Sequence, residues 1–299
     1  MGIDTESARF LLGSRHEGAS FQRCATLGRQ SYFVGNRETA TLLREYGVDP
    51  NQYPKLFSPD YGRYSEPFWE MLGARELEII DASDFEGGPN TRVHDLNFPV
   101  PDELKGRYDA VCDLGTLEHV FNYPTGICNC LEMVKVGGHF FSQSPANNYF
   151  GHGFYQFSPE LFFRILSKKN GFQMERMVAV EYGPRRRWYA VADPNLIEAR
   201  VSLINCFPVM LFVRAAKIAT VPLLREVPQE FGCASLWGQP TGQGAPPKLQ
   251  RLKQALVETT PRLARFLEAF KFSSFSREWS LRNRRSFTPL KKRMWGKRG

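Results

Sequence analysis

Acidic and imidazole side chains gather at the ends of apolar runs in this chain. The run Tyr108-Asp109-Ala110-Val111-Cys112-Asp113-Leu114 ends on Gly115-Thr116 and enters Leu117-Glu118-His119-Val120. Further on, Ser144 to Glu160 carries Asn147, Asn148, Tyr149, Tyr155 and a histidine, His152, between Gly151 and Gly153. Glycines on both sides leave that ring uncovered by its immediate neighbours. An imidazole with the reference pKa of about 6.5 takes a proton from a hydroxyl near neutrality, so His152 is the candidate general base. The competing reading is a loop histidine that bonds the backbone and shapes a lid. Asn148, Tyr149 and Tyr155 are candidate substrate contacts. Asp81 closes the run Glu76 to Ile80, and Asp95 follows Thr91 to His94. A carboxylate at a strand end can accept hydrogen bonds from both hydroxyls of a ribose; its plainer role is that of a turn residue. The chain has no HExxH, Walker A, GxSxG or EF-hand pattern, so those chemistries have no sequence basis.

The elements that must hold these groups alternate. Short strands are expected at Phe21 to Gly28, Glu76 to Asp81, Thr91 to Leu96, Tyr108 to Leu114, His139 to Gln143, Phe172 to Glu181 and around Val209 to Ala215. Helices are expected at Thr39 to Tyr46, from Ser65-Glu66-Pro67 to Leu72, at Asn122 to Val136, at Ser158 to Lys169 and around Asn195 to Ile204. Strand-helix alternation predicts an α/β fold, a doubly wound, mainly parallel sheet covered on both faces. Ligands of such sheets bind beyond the carboxyl ends of the strands, where Gly28, Asp81, Asp95, Gly115 and Thr116 stand.

The block Tyr108 to Val120, followed by Val136-Gly137-Gly138-His139-Phe140-Phe141 and Ser144-Pro145, resembles the central strand and the next strand of class I S-adenosylmethionine-dependent methyltransferases, of the type 11, 12 or 23 kind. The resemblance spans roughly residues 20 to 217 and is strongest over 108 to 160. It implies a Rossmann-like, seven-stranded sheet, S-adenosylmethionine as cofactor, and methyl transfer to an oxygen or nitrogen of a small molecule or sugar. It implies cofactor contacts from Gly28, Arg29, Asp81, Asp95, Leu96, Gly115, Thr116 and His119. Asp95 would meet the adenine amine, with Leu96 as an apolar cover. Glu118 and His119 would orient their turn and line the pocket. The family's acidic, glycine-rich first loop is absent: the chain reads Leu27-Gly28-Arg29-Gln30-Ser31-Tyr32-Phe33-Val34-Gly35. Arg29 is then the expected partner for the cofactor's carboxylate, against the alternative of a surface arginine.

With 299 residues, the chain can bury a full core. Cys24, Cys112, Cys128, Cys130, Cys206 and Cys233 have no metal-ligand spacing and read as reduced thiols of a cytoplasmic protein, so no metal is expected. Residues 1–217 are expected as the Rossmann-like domain and 218–299 as an extension with a linker (238–247), a short helix (249–270) and a basic tail. From Lys248 onward, 15 Lys and Arg face 3 Asp and Glu, a balance of +12, whereas the preceding residues balance at −4. Such a tail suits an anionic membrane surface, giving a cytoplasmic protein peripheral to the inner face, or nucleic acid. A solvated tail is the third option. Arg185-Arg186-Arg187-Trp188-Tyr189 reads either as a solvated loop or as a hold for an anionic acceptor. Two functional alternatives stand beside methylation of a small molecule: a non-catalytic scaffold that has lost its cofactor, and an RNA-modifying methyltransferase.

Overall fold

The computed structural model describes residues 2–57, 63–88, 90–231, 257–271, 273 and 275–291. A small sheet joins β1 (Gly2–Ile3), β3 (Ser31–Tyr32) and β4 (Arg63–Tyr64). The main sheet contains β2 (Arg23–Leu27), β5 (Glu76–Asp81), β6 (Thr91–Val93), β7 (Tyr108–Asp113), β8 (Val134–Asn147), β9 (Phe172–Glu181), β10 (Arg187–Val191), β11 (Val209–Lys217) and β12 (Phe287–Leu290). Their spatial order is β12-β10-β9-β11-β8-β7-β2-β5-β6. The half from β6 to β8 pairs in parallel, and the half from β8 to β12 pairs antiparallel. Only β10 and β11 run against the other strands. The sheet is therefore α/β in kind and mainly parallel in direction, with nine strands rather than the expected seven.

Alternation along the central strands explains why both faces are covered. Ala25, Leu27, Val111 and Phe140 point into one core, while Cys24, Ala110, Cys112 and Phe141 point into the other. Every residue of β7 is buried. Two-sided burial calls for continuous apolar runs and helices on both faces. The first core takes Ile127, Cys130 and Leu131 from α4 (Tyr123–Met133) and Phe162 and Ile165 from α5 (Pro159–Ile165). The second takes Phe10 and Leu11 from α1 (Thr5–His16), Leu42 and Leu43 from α2 (Asn36–Glu45), and Phe68, Trp69 and Met71 from α3 (Glu66–Leu72). The expected α4 ends at Met133, and Gly137-Gly138 lies inside β8 instead of closing the helix. A Cβ on Gly138 would stand 2.8 Å from Asp109 O, so the backbone of β8 passes β7 too closely for a side chain.

Several expectations change. The polar N-terminal stretch contains α1, which starts on Asp4, whose carboxylate accepts from Ser7 N at 2.9 Å. The helix expected around 195–204 shrinks to α6 (Pro194–Ile197). Arg185 and Arg186 stay exposed in the loop before β10, whereas Trp188 and Tyr189 are buried in β10, and Trp188 Nε1 donates to Glu6. Arg214 and Lys217, which interrupt the apolar stretch of β11, find polar partners inside the fold. Arg214 pairs with Glu17 and Glu175 at 2.6 and 2.7 Å, and Lys217 Nζ donates to Leu131 O and Val134 O at 2.8 and 2.7 Å.

The extension is not wholly apart from the body. Phe287 is buried, and β12 adds to the sheet edge beside β10. Of the stretch expected as a helix at 249–270, residues 249–256 lie outside the described residues and α7 (Pro261–Lys271) covers the end. The linker at 238–247, Cys233 and the last basic residues, 292–299, lie outside the described residues. The five described cysteines are free thiols, and no described helix is long and apolar enough to cross a membrane.

Candidate functional site

The sheet register aligns the strand tips. Leu27 lies opposite Ile80, Thr26 opposite Cys112, and Asp81 opposite Val93. Extended one or two residues, this register sets Gly28 between Asp81 and Leu114 at the same edge. Gly28, Asp81 and Gly115 thus stand at or just beyond the ends of three neighbouring strands, β2, β5 and β7, which lie about 4.8 Å apart. Gly28 (φ 70°) and Gly115 (φ 96°) adopt left-handed backbone, which turns the chain sharply where a side chain would be strained. Gly28 N donates to Ile80 O at 2.8 Å and locks this edge.

Two side chains converge on the end of β2. Thr116 Oγ1 donates to Leu27 O at 2.8 Å, and Gln30 Nε2 donates to the same oxygen at 2.7 Å. Gln30 is buried, and its Oε1 accepts no hydrogen bond among the described residues. The carboxylate of Asp81, which is half-buried, accepts one described hydrogen bond, from Ser83 N at 3.2 Å. A buried orphan acceptor beside a strand-tip carboxylate suits a ligand with an ammonium at one end and vicinal hydroxyls at the other. The donor set thus fits an adenosyl amino acid in part.

Other expected contacts are committed elsewhere. Arg29 Nε donates to Glu66 Oε1 at 2.7 Å, its Nη1 donates to Glu86 O at 2.6 Å, and its guanidinium stacks 3.3 Å from the Tyr64 ring centroid. That arginine ties the first loop to α3 through Nε and to the turn at Glu86 through Nη1. Asp95 is exposed and accepts from Asn97 N and Nδ2 at 2.9 and 2.8 Å, bonds that hold its carboxyl below the usual carboxylate range. Asn97 in turn accepts from Asn122 N at 2.8 Å, so Asp95 organises a turn. Leu96 is a core residue. Asn148 has left-handed backbone (φ 61°), and its amide donates to Phe207 O at 2.9 Å and Asn205 O at 3.1 Å. Tyr155 OH donates to Phe121 O at 2.6 Å. Both side chains shape the loop.

His119 and His152 do meet, with ring centroids 5.0 Å apart. Between them lies a residue whose expected role was only to orient the turn and line the pocket. Glu118 is fully buried, and neither carboxylate oxygen accepts a hydrogen bond among the described residues. His152 Nε2 stands 3.4 Å from Glu118 Oε1. One ligand atom from each of Glu118, His119 and His152 falls within 4.8 Å of the others. The adjacency Glu118-His119 is visible in the sequence, but the approach of His152 depends on the fold.

That approach has a local cause. Asp113, buried at the end of β7, accepts from Thr116 N and Leu117 N at 2.9 and 3.2 Å and from Ser142 Oγ at 3.0 Å. These bonds pin the Leu117–His119 turn. The 148–157 loop then clamps onto it: Phe154 N and Tyr155 N donate to Glu118 O at 2.7 and 3.3 Å. Gly153 (φ 68°) makes the contact, since a Cβ there would lie 2.8 Å from Glu118 O. Tyr149 N donates to Gln156 Oε1 at 2.9 Å, closing the loop, and the Tyr149 ring centroid is 5.9 Å from that of His152. Burial, reinforced by the nearby Asp113 carboxylate, pushes the Glu118 carboxyl up. Burial first, then His152, holds the His119 imidazole below the usual range. Burial pushes the Tyr149 phenol up to about 12.

The mouth of this cluster is aromatic and open. Phe121 and Phe154 are mostly exposed and meet edge to face at 5.6 Å. Past Asn148 and Asn205, a groove of about 600 Å³ is lined by Arg185, Arg187, Arg282 and Arg284.

No protein-family profile matches the chain, and no curated protein matches it. Solved structures do. The trans-methyltransferase CalH with S-adenosylhomocysteine is 15% identical, with a TM-score of 0.36, over 70% of this chain and 55% of that one. The 1,6-didemethyltoxoflavin-N1-methyltransferase of Burkholderia thailandensis, with its substrate and S-adenosylhomocysteine, is 13% identical, with a TM-score of 0.37, over 72% and 80%. The N-methyltransferase NodS of Bradyrhizobium japonicum WM9, also with S-adenosylhomocysteine, is 14% identical, with a TM-score of 0.38, over 72% and 87%. The chain thus spans little more than half of CalH.

Proposed function

We propose that this protein is an S-adenosylmethionine-dependent methyltransferase acting on an oxygen or nitrogen of a small molecule or sugar. The observation that carries the reading is the shared edge formed by Gly28, Asp81 and Gly115, with Glu118, His119 and His152 on the turn and loop beyond it. When bound, the cofactor supplies a methyl group already activated on a sulfonium. Asp81 receives the ribose hydroxyls. Gln30 Oε1 receives the ammonium group, which would give the orphan amide oxygen its donor. The tight turns at Gly28 and Gly115 leave room for the cofactor's body, and Thr116 keeps their spacing fixed.

The acceptor enters across Phe121 and Phe154, whose exposed rings offer a stacking face to a sugar or planar heterocycle. The Glu118, His119 and His152 cluster would lie beside the acceptor atom as that atom gives up its proton. Alignment supplies most of the rate, so few catalytic groups are needed. The basic groove beside Asn205 suits an acceptor that carries an anionic group. The segment from Lys248 onward, with its balance of +12, is proposed to hold the protein near an anionic membrane surface.

The scaffold alternative draws on one specific feature: Arg29 is occupied by Glu66. Crystals soaked with S-adenosylhomocysteine separate the two readings. Density for the nucleoside between Asp81 and Gly115 supports the enzyme. An empty edge at millimolar ligand overturns it.

A further inference from the structure

A carboxylate sealed from water without a hydrogen bond is costly unless something compensates it. Glu118 is 0% exposed, and both of its side-chain oxygens lack hydrogen-bond partners among the described residues. What faces it is two imidazoles: His152, 47% exposed at its side chain, with Nε2 at 3.4 Å from Oε1, and the exposed His119. One ligand atom from each of the three residues lies within 4.8 Å of the other two. Donors at about 2.0–2.1 Å from a tetrahedral ion stand about 3.3 Å apart, close to the Glu118–His152 separation. Small closing motions of exposed imidazoles would complete the set.

We propose that Glu118, His119 and His152 bind one divalent transition-metal ion. Two imidazoles and one carboxylate suit Zn²⁺, Fe²⁺, Mn²⁺ or Co²⁺; all-oxygen sites are the preference of Ca²⁺ and Mg²⁺. Three protein ligands leave at least one position open, the arrangement of a working site and not of a structural one. The open side faces solvent past the exposed imidazoles and the Phe121–Phe154 mouth. The protein builds the site with care: Asp113 fixes the turn that carries two ligands, and Gly153 lets the loop carrying the third sit against Glu118 O.

The role of the ion rests on the methyl-transfer reading above. The ion holds the acceptor's oxygen or nitrogen and lowers its pKa, and that proton passes to water. His152 then serves as a ligand and not as the proton acceptor. The metal assignment itself needs no cofactor and is tested without one.

The test is titration of the metal-free full-length protein with Co²⁺, read by visible absorption, with Zn²⁺ competition and thermal denaturation alongside. The wild type should bind one equivalent, show d–d bands that Zn²⁺ abolishes, and melt at a higher temperature with metal. Loss of an outer-shell partner costs roughly 10–100-fold in metal affinity, so Glu118→Gln and His152→Ala should each lose more than that. His152 is exposed, so His152→Ala keeps the fold; Glu118→Gln is close in size and should melt near the metal-free wild type. The inference is overturned by absence of the bands at millimolar Co²⁺, or by bands and affinity unchanged in both variants. Parallel calorimetry with S-adenosylhomocysteine keeps the two claims separate. Metal without nucleoside binding removes the methyl-transfer reading alone, and nucleoside without metal binding removes the metal site alone.

Discussion

Gly153→Ala should undo the cluster while leaving the body folded. The wild-type residue sits at φ 68°, where an L side chain costs about 1–2 kcal/mol. Its new Cβ would lie 2.8 Å from Glu118 O and 3.0 Å from Glu118 Cγ. The turn cannot yield, because Asp113 holds Thr116 N and Leu117 N. The loop must lift instead, and the bonds from Phe154 N and Tyr155 N to Glu118 O go with it, at about 0.5–1.5 kcal/mol each. A penalty of about 2–5 kcal/mol shifts the docked loop by roughly 30- to 5,000-fold. The body loses at most a few kcal/mol, so the melting temperature falls by no more than about 10 °C. Hydrogen exchange of the Phe154 amide reads docking directly and requires no substrate. Gly151→Ala is the matched control: a Cβ there meets nothing within 4 Å. Expected are fast exchange and weakened Co²⁺ binding in Gly153→Ala, with neither in Gly151→Ala. Equal protection in the two variants would refute the clamp.

Other perturbations test the neighbouring parts. Arg29→Ala should lower stability through the loss of Glu66 and the Tyr64 stack, and a double-mutant cycle with Glu66→Ala should give a coupling of about 0.5–3 kcal/mol by chemical denaturation; zero coupling would return Arg29 to a ligand role. Phe287→Ala should cost about 3–5 kcal/mol in the same assay, because Phe287 is 2% exposed within the core; a cost under 1 kcal/mol would detach β12 from the sheet. Sedimentation with phosphatidylserine vesicles should retain the full chain at low salt and release it at high salt, and retention of RNA but not of vesicles would reassign the basic extension.

What is legible in the sequence follows from the range of the forces involved. β2 and β7 carry local signals, since a strand buried on both faces needs an apolar run, and their tips need the turns at Gly28 and Gly115. The candidate residues on those tips can therefore be picked out from the order of amino acids alone. β12 carries the opposite signal: Pro289 sits within it, which only an edge strand tolerates, and the arginines around it suggest solvent. β10 is hidden for a similar reason, with three arginines screening Trp188 and Tyr189. Partners far apart in sequence decide which polar residues stay free. Arg29 is claimed by Glu66, 37 residues on, and Asn148 by Asn205 and Phe207. No periodicity predicts such pairs. The same distance effect works in favour of the site at Glu118, where a loop 34 residues later delivers His152 to a carboxylate that its own neighbours leave unsatisfied.

The strand-tip site is tested most directly by calorimetric titration of S-adenosylhomocysteine into the wild type and Asp81→Asn. A carboxylate accepting two hydroxyl bonds is worth about 1.5–3 kcal/mol per bond, so the substitution should weaken a saturable one-to-one interaction by at least roughly tenfold. No heat from the wild type at millimolar nucleoside, or identical isotherms for the two proteins, would contradict a cofactor held between Asp81 and Gly115.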